Sequence, residues 1–281
     1  MKTVLKSRQL QGDQSGVLVD VTPRTAGWEF IRFTVRRLAA GETWRTRARG
    51  EECCVVLLRG SGEVAIDREA PRTFGPRADV FASYPHAVYL PHGHGAAFRA
   101  SEVSEIAECR APSEMPLEPK LVGPRDCGFE IRGGGNATRQ IVDILSPQFP
   151  AHRLMLCEVF TPSGNWSSYP PHKHDVDNPP VEVDLEEIYY YRMRDADGYG
   201  FQRLYTADGA RDATVKVVHG DVVLIRDGYH PFVTAYGYDA YYLNVLAGER
   251  RSMAASDDPK YAALRAAWPP PDPRVPVVPR P

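Results

Sequence analysis

Residues 30–44, FIRFTVRRLAAGETW, and residues 152–166, HRLMLCEVFTPSGNW, can be laid over one another position for position. Each is a short apolar run that closes on a Gly-containing turn and a Trp. Farther along, residues 87–94, AVYLPHGH, echo residues 222–230, VVLIRDGYH, as a strand end, a Gly turn and a His. Two copies of one unit account for both echoes. Around them, short runs rich in Val, Ile, Tyr and Phe recur from end to end, bounded by Gly, Pro and Asp, while long 3.6-residue periods are scarce. The pattern is all-β, of the sandwich or barrel kind.

The predicted strands are 30–36, 53–58, 62–67, 79–83 and 87–90 in the first half, and 153–160, 187–193, 201–205, 214–218, 222–225 and 240–247 in the second. A linker at 111–124 divides the chain into a first β-barrel, residues 1–130, and a second, residues 131–281. The one plausible helix is 259–268. After it, PPPDPRVPVVPRP places seven prolines in thirteen residues, which predicts an extended strap along the body or a loose end.

The 281 residues are 43% hydrophobic and 25% charged, and 34 Lys plus Arg against 36 Asp plus Glu leave a net charge of -2. This composition excludes disorder as the main theme. It also lacks the clustered cation excess that would track a phosphate backbone, so no nucleic-acid partner is expected and small molecules are. No run approaches the roughly 20 apolar residues that span a bilayer. The start, MKTVLKSRQLQGDQSG, turns polar before a signal-peptide core forms. The expectation is a cytoplasmic protein whose five cysteines (Cys53, Cys54, Cys109, Cys127, Cys157) are reduced core residues.

Counting from the shared Trp separates the two halves chemically. Trp166 plus six and plus eight gives His172 and His174, whereas Trp44 plus six and plus eight gives Gly50 and Glu52. Residues two apart on a strand share a face, so both imidazoles can aim at one point while Lys173 faces away. A loop, 175–184, leads to LEEIYYYR, where Glu186 or Glu187 can face the same interior. His230, after DVVLIR and the turn Asp227-Gly228, is the fourth candidate. Three imidazoles and a carboxylate form a common transition-metal donor set with room for water or substrate. His92 and His94 have no companion Glu-bearing strand and read as loop residues, as do His86, His152 and His219. Tyr189, Tyr190, Tyr191, Tyr241 and Tyr242 read as barrel core, with one or two able to touch substrate.

This HxH, following Glu and distant His resemble the two motifs of the cupin superfamily. More narrowly, GNWSSYPPHKHD, EEIYYYR, GFQRLYT, GDVVLIRDGYHPF and GYDAYYLNVLAG resemble the 5-deoxy-glucuronate isomerase family of inositol catabolism, which belongs with the bicupin 5-keto-4-deoxyuronate isomerases. The resemblance is dense over 153–248 and thin in the first half. It implies an all-β bicupin with a degenerate first barrel, and a divalent metal on His172, His174, Glu187 and His230. Zinc is the first choice because the reaction has no redox change, with manganese or iron fitting the same donors.

The activity implied is aldose-ketose isomerisation of 5-deoxy-D-glucuronate to 5-dehydro-2-deoxy-D-gluconate, with the metal stabilising an enediolate. The proton shuttle stays open among a metal-bound hydroxide, a displaced Glu187 and a tyrosine, Tyr189 or Tyr229. For the substrate carboxylate the candidates are Arg203, favoured for its place on a predicted strand, then Arg192 and Arg226, with Tyr241 beside them. The rival expectations are an iron-dependent cupin dioxygenase and a non-catalytic metal- or sugar-binding bicupin. Paired barrels with open edges also suggest a homo-oligomer.

Overall fold

The strand Glu186–Met193, EEIYYYRM, shows how sequence alternation builds the second barrel. It lies third in a seven-stranded sheet ordered Val4–Leu5, Val222–Ile225, Glu186–Met193, Ala240–Ala247, Met155–Thr161, Arg139–Leu145, Gly128–Arg132. Tyr189, Tyr191 and Met193 share one face and enter an apolar core with Val223, Ile225, Tyr242, Leu204 and Phe232, each large side chain contributing roughly 2 kcal/mol by leaving water. A four-stranded sheet, ordered Trp166–Ser167, Phe232–Thr234, Tyr199–Tyr205, Asp212–Val218, supplies Leu204 and Phe232 to that core. The short strand His172–Lys173 pairs with Ser256–Asp257.

The computed structural model describes residues 3–281. In the first half, a nine-stranded sheet is built on the long strand Glu51–Ile66, which pairs with Arg72–Arg77, Ala87–Leu90, Gly95–Ala100 and Ser104–Pro112. Its core gathers Leu38, Cys53, Val55, Leu57, Phe74, Phe98 and Ile106, with Trp44 packed against it. All five cysteines are free and buried, and among the described residues no helix is long and apolar enough to cross a membrane.

Contacts divide the chain into two units by exchange of short segments, where the sequence suggested one cut near residue 130. One unit holds the segment ending at Lys6 with Gly128–Asp143 and Leu156–Arg280; the other holds Ser7–Cys127 with Ile144–Met155. Backbone pairing explains the first exchange, because Val4 and Leu5 add an edge strand beside Val223 and Val222, and Lys6 pairs with the Asp221 carboxylate. A carboxylate explains the second. Glu52, fully buried, accepts the backbone N–H groups of His152, Arg153 and Leu154 at 2.8, 2.6 and 2.7 Å and the Tyr89 hydroxyl at 2.6 Å.

Three local expectations need correction. Residues 79–83 form turns, because the buried Arg77 guanidinium gathers the carbonyls of Leu57, Val80 and Ser83 and the Phe81 N–H bonds to Asp79. The helix predicted at 259–268 is a 3-10 stretch, Ala262–Ala267, without a side-chain cap. A single α-turn, Pro23–Ala26, was missed although Thr22 and Thr25 make a reciprocal capping box around it. The proline-rich tail is a strap: Val278 is buried and exchanges two hydrogen bonds with the Gln140 amide, at 2.8 and 3.0 Å.

Glu52→Ala strands three backbone donors and a phenol that water cannot reach. The expected loss is about 3 kcal/mol, against about 1 kcal/mol for Tyr89→Phe. Urea unfolding followed by circular dichroism measures both, and a Glu52→Ala protein as stable as the parent would refute this role.

Candidate metal centre

Three strands of the second barrel and the turns beside them bring the predicted ligands together. Glu187 stands inward on Glu186–Met193, 2% exposed, with Tyr189 and Tyr191 on its face. Register therefore decides between the two glutamates in its favour, since Glu186 projects from the opposite side of the strand. His172 and His174 follow Trp166–Ser167, and His230 precedes Phe232–Thr234. His174 and His230 are buried, at 6% and 0% exposure.

The donor atoms of His174, Glu187 and His230 all lie within 4.8 Å of one another. Oε2 of Glu187 is 3.1 Å from Nε2 of His174 and 3.1 Å from Nε2 of His230. His172 falls outside that tight trio, but its ring sits edge-on to His230 with centroids 4.9 Å apart, and 6.5 Å from the His174 ring.

Each imidazole is oriented from behind. Nδ1 of His174 donates to the Leu185 carbonyl at 3.1 Å, Nδ1 of His230 to the Gly228 carbonyl at 3.0 Å, and Nδ1 of His172 to the Pro170 carbonyl at 3.4 Å. A carbonyl only accepts, so Nδ1 carries a proton in all three rings; Nε2 of His230 is left with its lone pair, while Nε2 of His174 lies in hydrogen-bond reach of the Glu187 carboxylate. Backbone carbonyls behind histidines are the usual outer support of metal-ligating rings.

The electrostatics favour neutral His172 and His230 and an ionised Glu187. Burial, with the neighbouring His230 and His174, holds His172 well below the ordinary imidazole range. Burial likewise lowers His230, against the pull of Glu187. For Glu187, burial alone would raise the carboxyl, but His230, His174 and the Asn244 amide together keep it below the usual carboxylate range. His174 moves the other way, the Glu187 charge outweighing its desolvation. Nε2 of His230 is buried with no hydrogen-bond partner despite its closeness to Glu187. That orphaned lone pair, aimed at a carboxylate beside two further imidazoles, fits a divalent ion bound to this set.

Aromatic rings wall the site. Tyr189 lies 6.0 Å from His230 and stacks on Tyr242 at 4.1 Å. The Tyr189 and Tyr242 hydroxyls hydrogen-bond to Ser168 at 2.7 Å and Ser167 at 2.6 Å. Tyr191 bonds to Gln202. Burial, reinforced by the Glu187 charge, pushes the Tyr189 hydroxyl well above its normal range, so it stays protonated.

The remaining predicted residues face elsewhere, Arg203, Arg192 and Tyr241 by strand parity, and Arg226 and Tyr229 from the turn between Val222–Ile225 and Phe232–Thr234. On Tyr199–Tyr205, Leu204 points inward, and Arg203 points out to a two-pronged ion pair with Asp212 at 2.8 and 2.7 Å. Arg192 lies one residue off the Tyr191 face, over the Tyr190 ring and donating to His219 at 3.0 Å. Arg226 follows the inward Ile225 and lines a small recess with Arg211 and Asp227. Tyr229 is adjacent to the inward His230 and pairs its ring with Tyr205 at 5.0 Å. Tyr241, on the reverse face from Tyr242, donates to Glu158 at 2.9 Å. The histidines read as loop residues are engaged locally, His92 accepting from the Gly50 N–H and His94 bonded to Asp67.

Sequence reasoning missed Asn244 and Arg139. Arg139 starts the strand Arg139–Leu145, two residues before the inward Ile141, and that spacing was the available signal. It is 3% exposed, and Nη1 donates to the carbonyls of Ala137 at 3.3 Å and Tyr169 at 3.1 Å. No carboxylate pairs with it among the described residues, and burial lowers it to about 10. Tyr169 sits between Ser168, bonded to Tyr189, and Pro170, whose carbonyl holds His172.

Comparison with known proteins places this geometry in context. The chain is 43% identical over 250 residues to the 5-deoxy-glucuronate isomerase of Geobacillus kaustophilus, covering 89% of this chain and 91% of that one. It is 37% identical over 265 residues to the 5-deoxy-glucuronate isomerase of Bacillus subtilis, covering 93% and 98%. The crystal structure of an IolB-like protein from Salmonella typhimurium superposes with a TM-score of 0.89 at 34% identity, over 94% of this chain and 99% of that one. Oxalate decarboxylase from Bacillus subtilis superposes at 0.61 with 14% identity, over 91% and 79%, a likeness of fold that agrees with a bicupin. The KduI/IolB family model matches residues 4–264, and the chain belongs to that family.

Proposed function

We propose that this protein is a metal-dependent isomerase that converts 5-deoxy-D-glucuronate to 5-dehydro-2-deoxy-D-gluconate in inositol catabolism. The observation that carries the metal dependence is the buried, unpartnered Nε2 of His230 beside Glu187 and the His172 and His174 rings. The substrate follows from the relatives that bear the isomerase name over nearly the whole chain. His172, His174, Glu187 and His230 would hold the ion, which we take to be zinc because hydrogen transfer between C1 and C2 changes no net oxidation state. Such an ion supplies Lewis acidity to the oxygens on C1 and C2, where negative charge develops.

The chain's own groups divide the remaining work. Glu187, ionised at neutral pH, can take the proton from C2 and, after exchange with solvent, deliver one to C1, while the hydroxyl proton on O2 passes to O1. Tyr189, held protonated, can only donate a hydrogen bond, to an oxygen that becomes more negative. Arg139, and not Arg203, Arg192 or Arg226, is suited to the uronate carboxylate: it is a guanidinium without an acidic partner among the described residues, beside the peptide that orients His172. The five free cysteines accord with a reducing compartment, and we place the enzyme in the cytoplasm.

A proton NMR time course of 5-deoxy-glucuronate in deuterated water should show ketose accumulating with deuterium at C1. Chelator should stop it and zinc restore it. Turnover at full rate without metal would exclude this mechanism, and oxygen uptake with a ferrous ion would favour the dioxygenase reading. Elemental analysis should find a single divalent ion per chain, lost in His172→Ala and His230→Ala with a fall in kcat of at least about a hundredfold and the β circular-dichroism signature intact. Arg139→Lys keeps the charge but not the fork, so kcat/KM should fall about tenfold to a hundredfold, chiefly through KM. Arg203→Ala should change kcat/KM by less than about twofold; the reverse ranking would return the carboxylate to Arg203.

A further inference from the structure

The first barrel holds a cavity of about 410 Å³, within the usual range for small-molecule sites. Strand register shows how it is lined. Arg32 lies opposite Arg110, which lies opposite Cys53; Thr34 lies opposite Glu108, which lies opposite Val55; Arg36 lies opposite Ile106. Residues directly opposite one another share a face of the sheet, and Cys53, Val55 and Ile106 belong to the barrel core. The polar rows of Arg32, Arg36 and Arg110 therefore continue the inner face of the barrel.

The charges around this cavity do not balance. Five guanidinium groups line it against three carboxylates. Arg110 is committed to Glu51 and Glu108, both at 2.8 Å, and Arg47 donates to the Gly93 carbonyl at 2.7 Å. The side chains of Arg32, Arg36 and Arg45 make no ion pair or hydrogen bond among the described residues. Nε of Arg36 is buried without a partner, while its guanidinium lies 5.9 Å from the centre of the Trp44 ring. Desolvating a cationic donor unpaired, beside like charges, costs stability, and an oxyanion in the cavity would remove that cost.

We propose that the first barrel is a second ligand site, for a small molecule bearing two or more oxyanion charges. Its carboxylate or phosphate oxygens are held by Arg32 and Arg36, and its carbon body lies against Trp44. This site is independent of the isomerase reading. The surplus of two positive charges sets the preference for a dianion or trianion, and the planar forks of arginine suit carboxylate and phosphate equally.

Isothermal titration of the metal-loaded protein with inorganic phosphate and with tricarballylate, in about 0.15 M salt to screen weak surface attraction, tests this. At least one probe should bind the parent protein and His230→Ala equally, and bind Arg36→Gln and Arg32→Gln at least about tenfold more weakly. A response to phosphate alone would assign the site to phosphate esters, and a response to tricarballylate alone to polycarboxylates. Arg32 is exposed, so loss of binding in Arg32→Gln cannot come from misfolding of the core. The proposal fails if neither probe binds below about 10 mM, if both arginine variants bind like the parent, or if His230→Ala abolishes binding.

Discussion

One carboxylate oxygen, Oε2 of Glu187, lies 3.1 Å from two imidazole nitrogens whose partner nitrogens are both tied to backbone carbonyls. The rest of the second barrel is organised around that arrangement. Lone pairs on two rings and a carboxylate repel one another in a dry interior, and protonation relieves only part of the conflict. Glu187 can hold a proton on His174, but burial opposes one on His230. A divalent cation relieves it on every side at once. The surrounding structure fixes the rings before any ion arrives, since Leu185, Gly228 and Pro170 each present a carbonyl that sets a tautomer.

What the sequence revealed of this site, and what it hid, follow from the same two-residue period. His172 and His174 announce themselves by spacing, whereas Glu187 is preferred to Glu186 only through the family resemblance, because strand parity cannot be carried across the loop 175–184. Strand parity then sends Arg192, Arg203 and Tyr241 away, each one position from an inward neighbour, while Arg226 and Tyr229 stand on the turn that leads to His230. A one-residue difference in facing cannot be read from composition when both faces of a strand are buried, as they are for Tyr190 and Tyr191. Arg139 was hidden for a different reason. It opens its strand outside the stretch where the motifs concentrate, and its partners are main-chain carbonyls, which leave no trace in side-chain pattern.

The fold was more legible because it depends on many weak, repeated signals. The repeated turn and Trp, the alternating apolar runs and the position of the proline-rich tail all survive errors of one or two residues at strand ends. The exchanged segments did not, because each rests on a few specific contacts: a two-residue edge strand at Val4 and Leu5, and the three N–H groups bound by Glu52. Such contacts join residues far apart in the chain and have no period.

Glu52 also explains why the first barrel is not simply a weakened copy of the second. It occupies the position that corresponds by count to His174, yet its carboxylate is saturated by three backbone donors and a phenol. An oxygen so occupied has little left to offer a metal, and Gly50, at the position of His172, has no side chain to add. What the barrel presents inside is cationic: guanidinium groups that already carry hydrogen where a ligand must offer a lone pair. The two interiors have thus diverged in the sign of what they can attract, the second offering lone pairs to a cation and the first N–H groups to an anion. A barrel that had lost its ligands by drift alone would be expected to fill its interior with apolar side chains, and three arginines without an acidic partner, lining one cavity with Trp44, are the opposite of that outcome.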